Sequence, residues 1–124
     1  MTGNNSILLY VADAEASARY FTRLLGLEPV EASPTFAMFR LPSGLGFGLW
    51  RRDGVEPASI AAGGGCEIAF RVADAAAVDT HYRDWSGKGA DILMPPTDLE
   101  FGRSFVATDR DGHRLRVYAV ADEG

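Results

Sequence analysis

The chain has 124 residues and a formal charge of −5, from 12 Lys and Arg against 17 Asp and Glu. That length suits one compact domain burying roughly two-thirds of its unfolded surface, and the acidic balance argues against nucleic acid as a partner. A lone cysteine, Cys66, excludes an intrachain disulfide or thiolate metal cage and suits a reducing cytoplasm; no apolar run approaches the ~18 residues that cross a bilayer, and Met1–Asn5 lacks a signal-peptide pattern.

In chain order, Ser6–Val11 is a short apolar run that reads as a central strand. Asp13 is a good N-cap because its carboxylate can accept from the first unpaired helix N–H groups. Ala14, Ala18, Phe21 and Leu25 follow at helical spacing, and Gly26 marks the stop. Strands are expected at Glu28–Ala32, Thr35–Leu41 and Leu45–Arg51, with a turn at Pro42-Ser43-Gly44. Asp53–Gly65, which holds Gly63-Gly64-Gly65, reads as a flexible connector.

The second half then repeats the first. Val72-Ala73-Asp74 echoes Val11-Ala12-Asp13, each after a strand-like run and before a helix-length segment. The strand is Cys66–Val72, and Asp74 caps a helix with an apolar stripe of Val78, Tyr82 and Trp85 that ends at Gly87-Lys88-Gly89. Asp91–Met94, Ser104–Thr108 and Arg114–Val120 complete the strands, with a tight turn at Asp109-Arg110-Asp111-Gly112. Pro95–Arg103 reads as a loop and a candidate lid: two prolines stiffen its start, Gly102 offers a hinge, and Phe101 could close over a ligand. The modules span about 5–52 and 66–121, joined by 53–65.

Alternation is clearest in the fourth strand, where Gly44, Gly46 and Gly48 share one face with Trp50. Three glycines on one strand face need an explanation. Either their missing side chains leave a cavity floor beside Trp50, or a helix or neighbouring backbone packs closely there. Phe47 and Trp85 read as core.

Two βαβββ modules in this order resemble the vicinal oxygen chelate superfamily of glyoxalase I, extradiol dioxygenases and bleomycin- or phenazine-resistance proteins. The resemblance rests on Val11-Ala12-Asp13 with Tyr20-Phe21 and Leu24-Leu25-Gly26-Leu27, on Glu67-Ile68-Ala69-Phe70, and on the closing Asp109-Arg110-Asp111-Gly112-His113-Arg114-Leu115. It implies an α+β fold whose modules form a cup-shaped mixed sheet with helices on the convex side. It also implies ligands inside the cup, and homodimers with composite sites.

The metal enzymes of that superfamily carry ligands at positions that fall here on Ser6, on Gly48 or Leu49, on Glu67 and on Arg116. A divalent ion needs several converging O or N donors, and Glu67 alone qualifies, so no metal or other cofactor is expected. His81, inside the second helix, and His113, at the Asp-Gly turn, read as structural. Glu67 and Arg116 are expected to pair, since the guanidinium fork matches a carboxylate; alternatively either binds a polar group of the ligand.

The same alternation places Ala69, Arg71, Arg114 and Tyr118 on the face of Glu67 and Arg116. In the first module Ser6, Leu8 and Tyr10 join Gly46, Gly48 and Trp50, with either Phe36 and Met38 or Ala37 and Phe39 as wall. Such an aromatic lining suits a flat aromatic ligand better than proton-transfer catalysis. Within the superfamily the chain looks most like the metal-free phenazine-resistance type. The resemblance rests there on Ser33-Pro34-Thr35-Phe36-Ala37-Met38-Phe39, on Gly48-Leu49-Trp50, and on Pro95-Pro96-Thr97-Asp98 with Phe101-Gly102. It implies a homodimeric, cytoplasmic protein that sequesters a small planar aromatic compound through Trp50, Phe36, Met38, Tyr10, Gly48, Glu67, Arg116, Tyr118 and Phe101. The alternative is a glyoxalase- or dioxygenase-like lyase or isomerase, acting through Glu67 or through a metal held elsewhere.

Overall fold

The two aspartates that end the repeated phrase both cap helices. In a computed structural model that describes residues 5–121, Asp13 Oδ1 accepts from the Ala16 N–H at 3.0 Å, and Asp74 Oδ1 accepts from the Ala77 N–H at 2.8 Å. Each accepts from an N–H of the first helical turn, which has no carbonyl partner within the helix; the Ala77 N–H also reaches the Asp74 carbonyl at 3.1 Å.

The chain divides after Ala61 into two compact units. The first runs β1 (Ser6–Val11), α1 (Ala14–Leu25), β2 (Glu31–Ala32), β3 (Phe36–Arg40) and β4 (Gly46–Arg51). The second repeats the order with β5 (Glu67–Arg71), α2 (Ala75–Gly87), β6 (Asp91–Leu99), β7 (Gly102–Thr108) and β8 (Arg114–Val120). Each unit holds one four-stranded mixed sheet, ordered β1-β4-β3-β2 and β5-β8-β7-β6. In both, the first and last strands pair in parallel and the other pairs are antiparallel. The α+β fold of two βαβββ modules is therefore present.

Period-2 alternation decides which face each helix covers. In the first unit Leu9, Val11, Ala37, Phe39, Phe47 and Leu49 are buried on one face. Phe21 of α1 meets Phe47 there edge-on at 4.8 Å between ring centroids. The buried stripe of α1 is Ala14, Ser17, Tyr20, Phe21 and Leu24, so Ala18 and Leu25 sit at its margins rather than in it. Both stripes obey helical spacing, and docking against the aromatic sheet face selects the one centred on Phe21. In the second unit Val78 and Trp85 are buried, with Trp85 edge-on to Phe70 and Phe105 at 5.9 and 5.4 Å. Phe47 and Trp85 are core, as their sequence context indicates.

Three expected boundaries move. β2 is only Glu31–Ala32, because Pro29 has no N–H and Val30 makes a single bond, to the Met38 carbonyl at 2.7 Å. The connector is locally ordered at its start, where Arg52–Gly54 forms a 3-10 turn, Val55 is buried and Arg51 pairs with Asp53 at 2.6 Å.

The third change is the largest: the segment 95–103 is a hairpin, not a lid. β6 continues through both prolines to Leu99 and β7 starts at Gly102, with register shifts between Ile92 and Met94 and between Met94 and Thr97. Those bulges absorb prolines that cannot donate to a ladder. Gly102 is no hinge, since a Cβ there would run into the Ala119 carbonyl. Among the described residues no helix is long and apolar enough to cross a membrane.

Candidate functional site

The face of the first sheet opposite α1 is built from three strands in register. Phe36, Trp50 and Tyr10 lie side by side across β3, β4 and β1, and Met38, Gly48 and Leu8 form the next row. Ser6 and Gly46 follow. This settles the third strand: Phe36 and Met38 share the face of Trp50, while Ala37 and Phe39 are buried towards α1.

Trp50 meets Tyr10 and Phe36 edge-on, with ring centroids at 6.3 and 6.5 Å and planes at 83° and 86°. A concavity of about 600 Å³ opens beside it, floored by Leu8, Phe36, Met38 and Trp50. Ser6, Glu31, Ser33 and Thr35 supply its polar lining.

The glycines leave room, but not an empty floor. A Cβ at Gly48 would stand 2.6 Å from Leu8 Cδ2 and 3.2 Å from Met38 Cε. One at Gly46 would stand 2.5 Å from Ser6 Oγ and 3.3 Å from Met38 Sδ. Side chains from the flanking strands lean into the space the glycines vacate, so neither the open-floor expectation nor close backbone packing describes it. Gly44 lies outside β4 and turns the chain at φ 95°. Glu31, Ser33 and Thr35 were not expected in the lining. Glu31 faces Met38 across the β2–β3 pair, and that register depends on the Ser33 turn. There the Ser33 hydroxyl accepts from the Thr35 and Phe36 N–H groups at 3.3 and 3.1 Å.

The second sheet presents a different chemistry on the matching face. Arg116 donates from Nε to Glu67 Oε1 at 2.6 Å and from Nη2 to Oε2 at 3.2 Å, and its Nη1 donates to Ser104 Oγ at 2.9 Å. The expected pair thus forms as a bidentate fork, with Ser104 as a partner that strand alternation did not suggest. Tyr118 lies on the same face and meets Phe101 edge-on at 6.0 Å. Phe101 sits at the turn between β6 and β7, and its carbonyl accepts from the Ala121 N–H at 2.8 Å.

On the helix side, Arg103 bridges Asp79 of α2 at 2.9 Å and Asp98 of β6 at 3.0 Å. These hydrogen bonds, Asp79's first, raise the guanidinium pKa above its ordinary value. His113 is buried against Asp109, whose Oδ2 lies 2.8 Å from its Nδ1 while Oδ1 accepts from the His113 and Asp111 N–H groups. His81 is exposed on α2.

A family model for the Glyoxalase/Bleomycin resistance protein/Dioxygenase superfamily matches residues 3–117. The chain belongs to this superfamily. It is 31% identical over 117 residues to the phenazine antibiotic resistance protein EhpR of Enterobacter agglomerans, covering 91% of this chain and 88% of that one. Among solved structures, protein ATC0852 from Agrobacterium tumefaciens is 47% identical with a TM-score of 0.87, over 98% of this chain and 100% of its own. A glyoxalase-related enzyme from Fulvimarina pelagi shares the fold at 21% identity and a TM-score of 0.83, over 96% and 88% of the two chains.

The positions at which metal enzymes of the superfamily carry ligands are related alike in both units. Ser6 and Gly48 stand diagonally across the parallel β1–β4 pair, as Glu67 and Arg116 do across β5–β8. Leu49, the other candidate, faces α1. This donor set does not fit a divalent cation: Gly48 offers no side chain, both Glu67 oxygens are held by Arg116, and Arg116 is itself a cation.

Proposed function

We propose that this superfamily member binds and sequesters a small planar aromatic compound, a phenazine- or bleomycin-type antibiotic, with no metal and no bond made or broken. The observation that carries this reading is Trp50 set edge-on between Tyr10 and Phe36, beside a concavity with an apolar floor. Offset or edge-on stacking of a flat ligand there adds about 0.5–1.5 kcal/mol beyond the area it buries. The relation to a phenazine antibiotic resistance protein supports the ligand class. Glu67 is poorly placed as a general base, because both of its carboxylate oxygens are already engaged by the Arg116 guanidinium.

The acting form in this reading is a homodimer in the cytoplasm. Leu8, in the concavity, and Val30, next to Glu31 in the chain, are 41% and 64% exposed, and a second copy would cover them. Sedimentation equilibrium is expected to give twice the chain mass.

Calorimetric titration with phenazine tests the ligand class. Saturable binding is expected, with affinity falling about tenfold in Trp50→Ala, the equivalent of one lost stacking contact. Trp85, buried in the second unit, reports through its emission that the variant is folded. Absence of binding by phenazine and by other tricyclic aromatics would refute the reading.

A further inference from the structure

Among the described residues, Glu31 is the one ionisable residue lining the concavity. It stands opposite Met38, on the row that runs on to Gly48 and Leu8. Its carboxylate makes no ion pair or side-chain hydrogen bond among the described residues. Glu67 is the contrast, a carboxylate on the matching face of the second sheet whose two oxygens are both held by Arg116. The arginine that shares the face of Phe36 and Met38, Arg40, turns its Nη1 to the Gly44 carbonyl at 3.0 Å. It does not line the concavity.

We infer that the site selects planar aromatics carrying a positive charge or amino donors at one edge, with Glu31 as the counter-charge. This rests on the reading that the concavity binds a flat aromatic at all. Three features favour a cation. The carboxylate is acceptor-only when ionised. Aromatic faces such as those of Trp50 and Phe36 attract cations. Among the described residues no Lys or Arg lines the concavity to hold an anion, and the chain's overall charge of −5 repels one further. The Thr35 hydroxyl, on the same rim, can accept from an additional amino hydrogen, whereas Ser33 Oγ already accepts from two backbone N–H groups.

The test uses one ring frame in three charge states: 9-aminoacridine as the cation, acridine as the neutral form and acridine-9-carboxylate as the anion. Each is titrated calorimetrically into the full chain at neutral pH. The cation is expected to bind about fivefold more tightly than acridine, the effect of one exposed charge pair, and the anion more weakly than either. Glu31→Gln is expected to bring 9-aminoacridine to the affinity of acridine, and raised salt to narrow the gap in the unmodified chain. Three acridines binding equally would overturn the charge assignment and leave aromatic binding standing. A cation preference that survives Glu31→Gln would overturn Glu31 as its source. Failure of all three, together with phenazine, would remove the underlying reading instead.

Discussion

Arg116 shows what one residue does when its neighbours are fixed by register. It lies opposite Ala69 in the parallel β5–β8 pair, so it reaches Glu67 on the diagonal, within range of a long side chain. Its side chain is 17% exposed and that of Glu67 32%. Arg116→Ala therefore strands a half-sheltered carboxylate and the Ser104 hydroxyl together. Stability is expected to fall by about 1–2 kcal/mol, measured by urea denaturation. Arg116→Lys should recover less than half of that loss, because an ammonium cannot present the fork. An unchanged midpoint in Arg116→Ala would make the pair an incidental surface contact. The partner Glu67 was legible through the superfamily resemblance, which sets it and Arg116 at two ligand positions of one module with opposite charge. Ser104 was not, since its contact requires the β7–β8 register, which only the hairpin and turn geometry fixes.

At the scale of elements, local chemistry was readable and pairing was not. Both helices start at aspartates and α1 ends at Gly26 with φ 69°, features that depend on a few adjacent residues. The segment 95–103 carries the punctuation of a loop, two prolines and a glycine, yet it pairs as strand because bulges accommodate the prolines. β2 poses the same difficulty: Glu31 enters the candidate site through a cross-strand register that no local pattern encodes. The hairpin's rigidity can be tested at Gly102, which has φ 148° and the Ala119 carbonyl where a side chain would go. Gly102→Ala is expected to cost roughly 2 kcal/mol or more. Gly65→Ala, with nothing within 4 Å, should change stability by under about 1 kcal/mol. Thermal melts of the two variants give the comparison. Equal melting points would restore Gly102 as a flexible joint.

Across the whole chain, the two units repeat one backbone plan and diverge in what they place on the sheet face opposite the helix. The first offers glycines, aromatic rings and a floor of aliphatic side chains; the second offers a guanidinium–carboxylate–hydroxyl cluster. Under the proposed reading, protection against a bound compound is limited by protein stoichiometry. With phenazine in excess over protein, the ligand removed from free solution should rise linearly with protein and stop at the number of sites. Chromatography of the denatured mixture should then recover the compound chemically unchanged. The same binding must raise the melting temperature by mass action. A free ligand concentration a hundred times the Kd adds about 2.7 kcal/mol to stability, which for a chain of this size is a rise of roughly 10 °C. Loss of ligand beyond equivalence, with a new product on the chromatogram, would mean turnover and would put an enzyme in place of a sequestering protein.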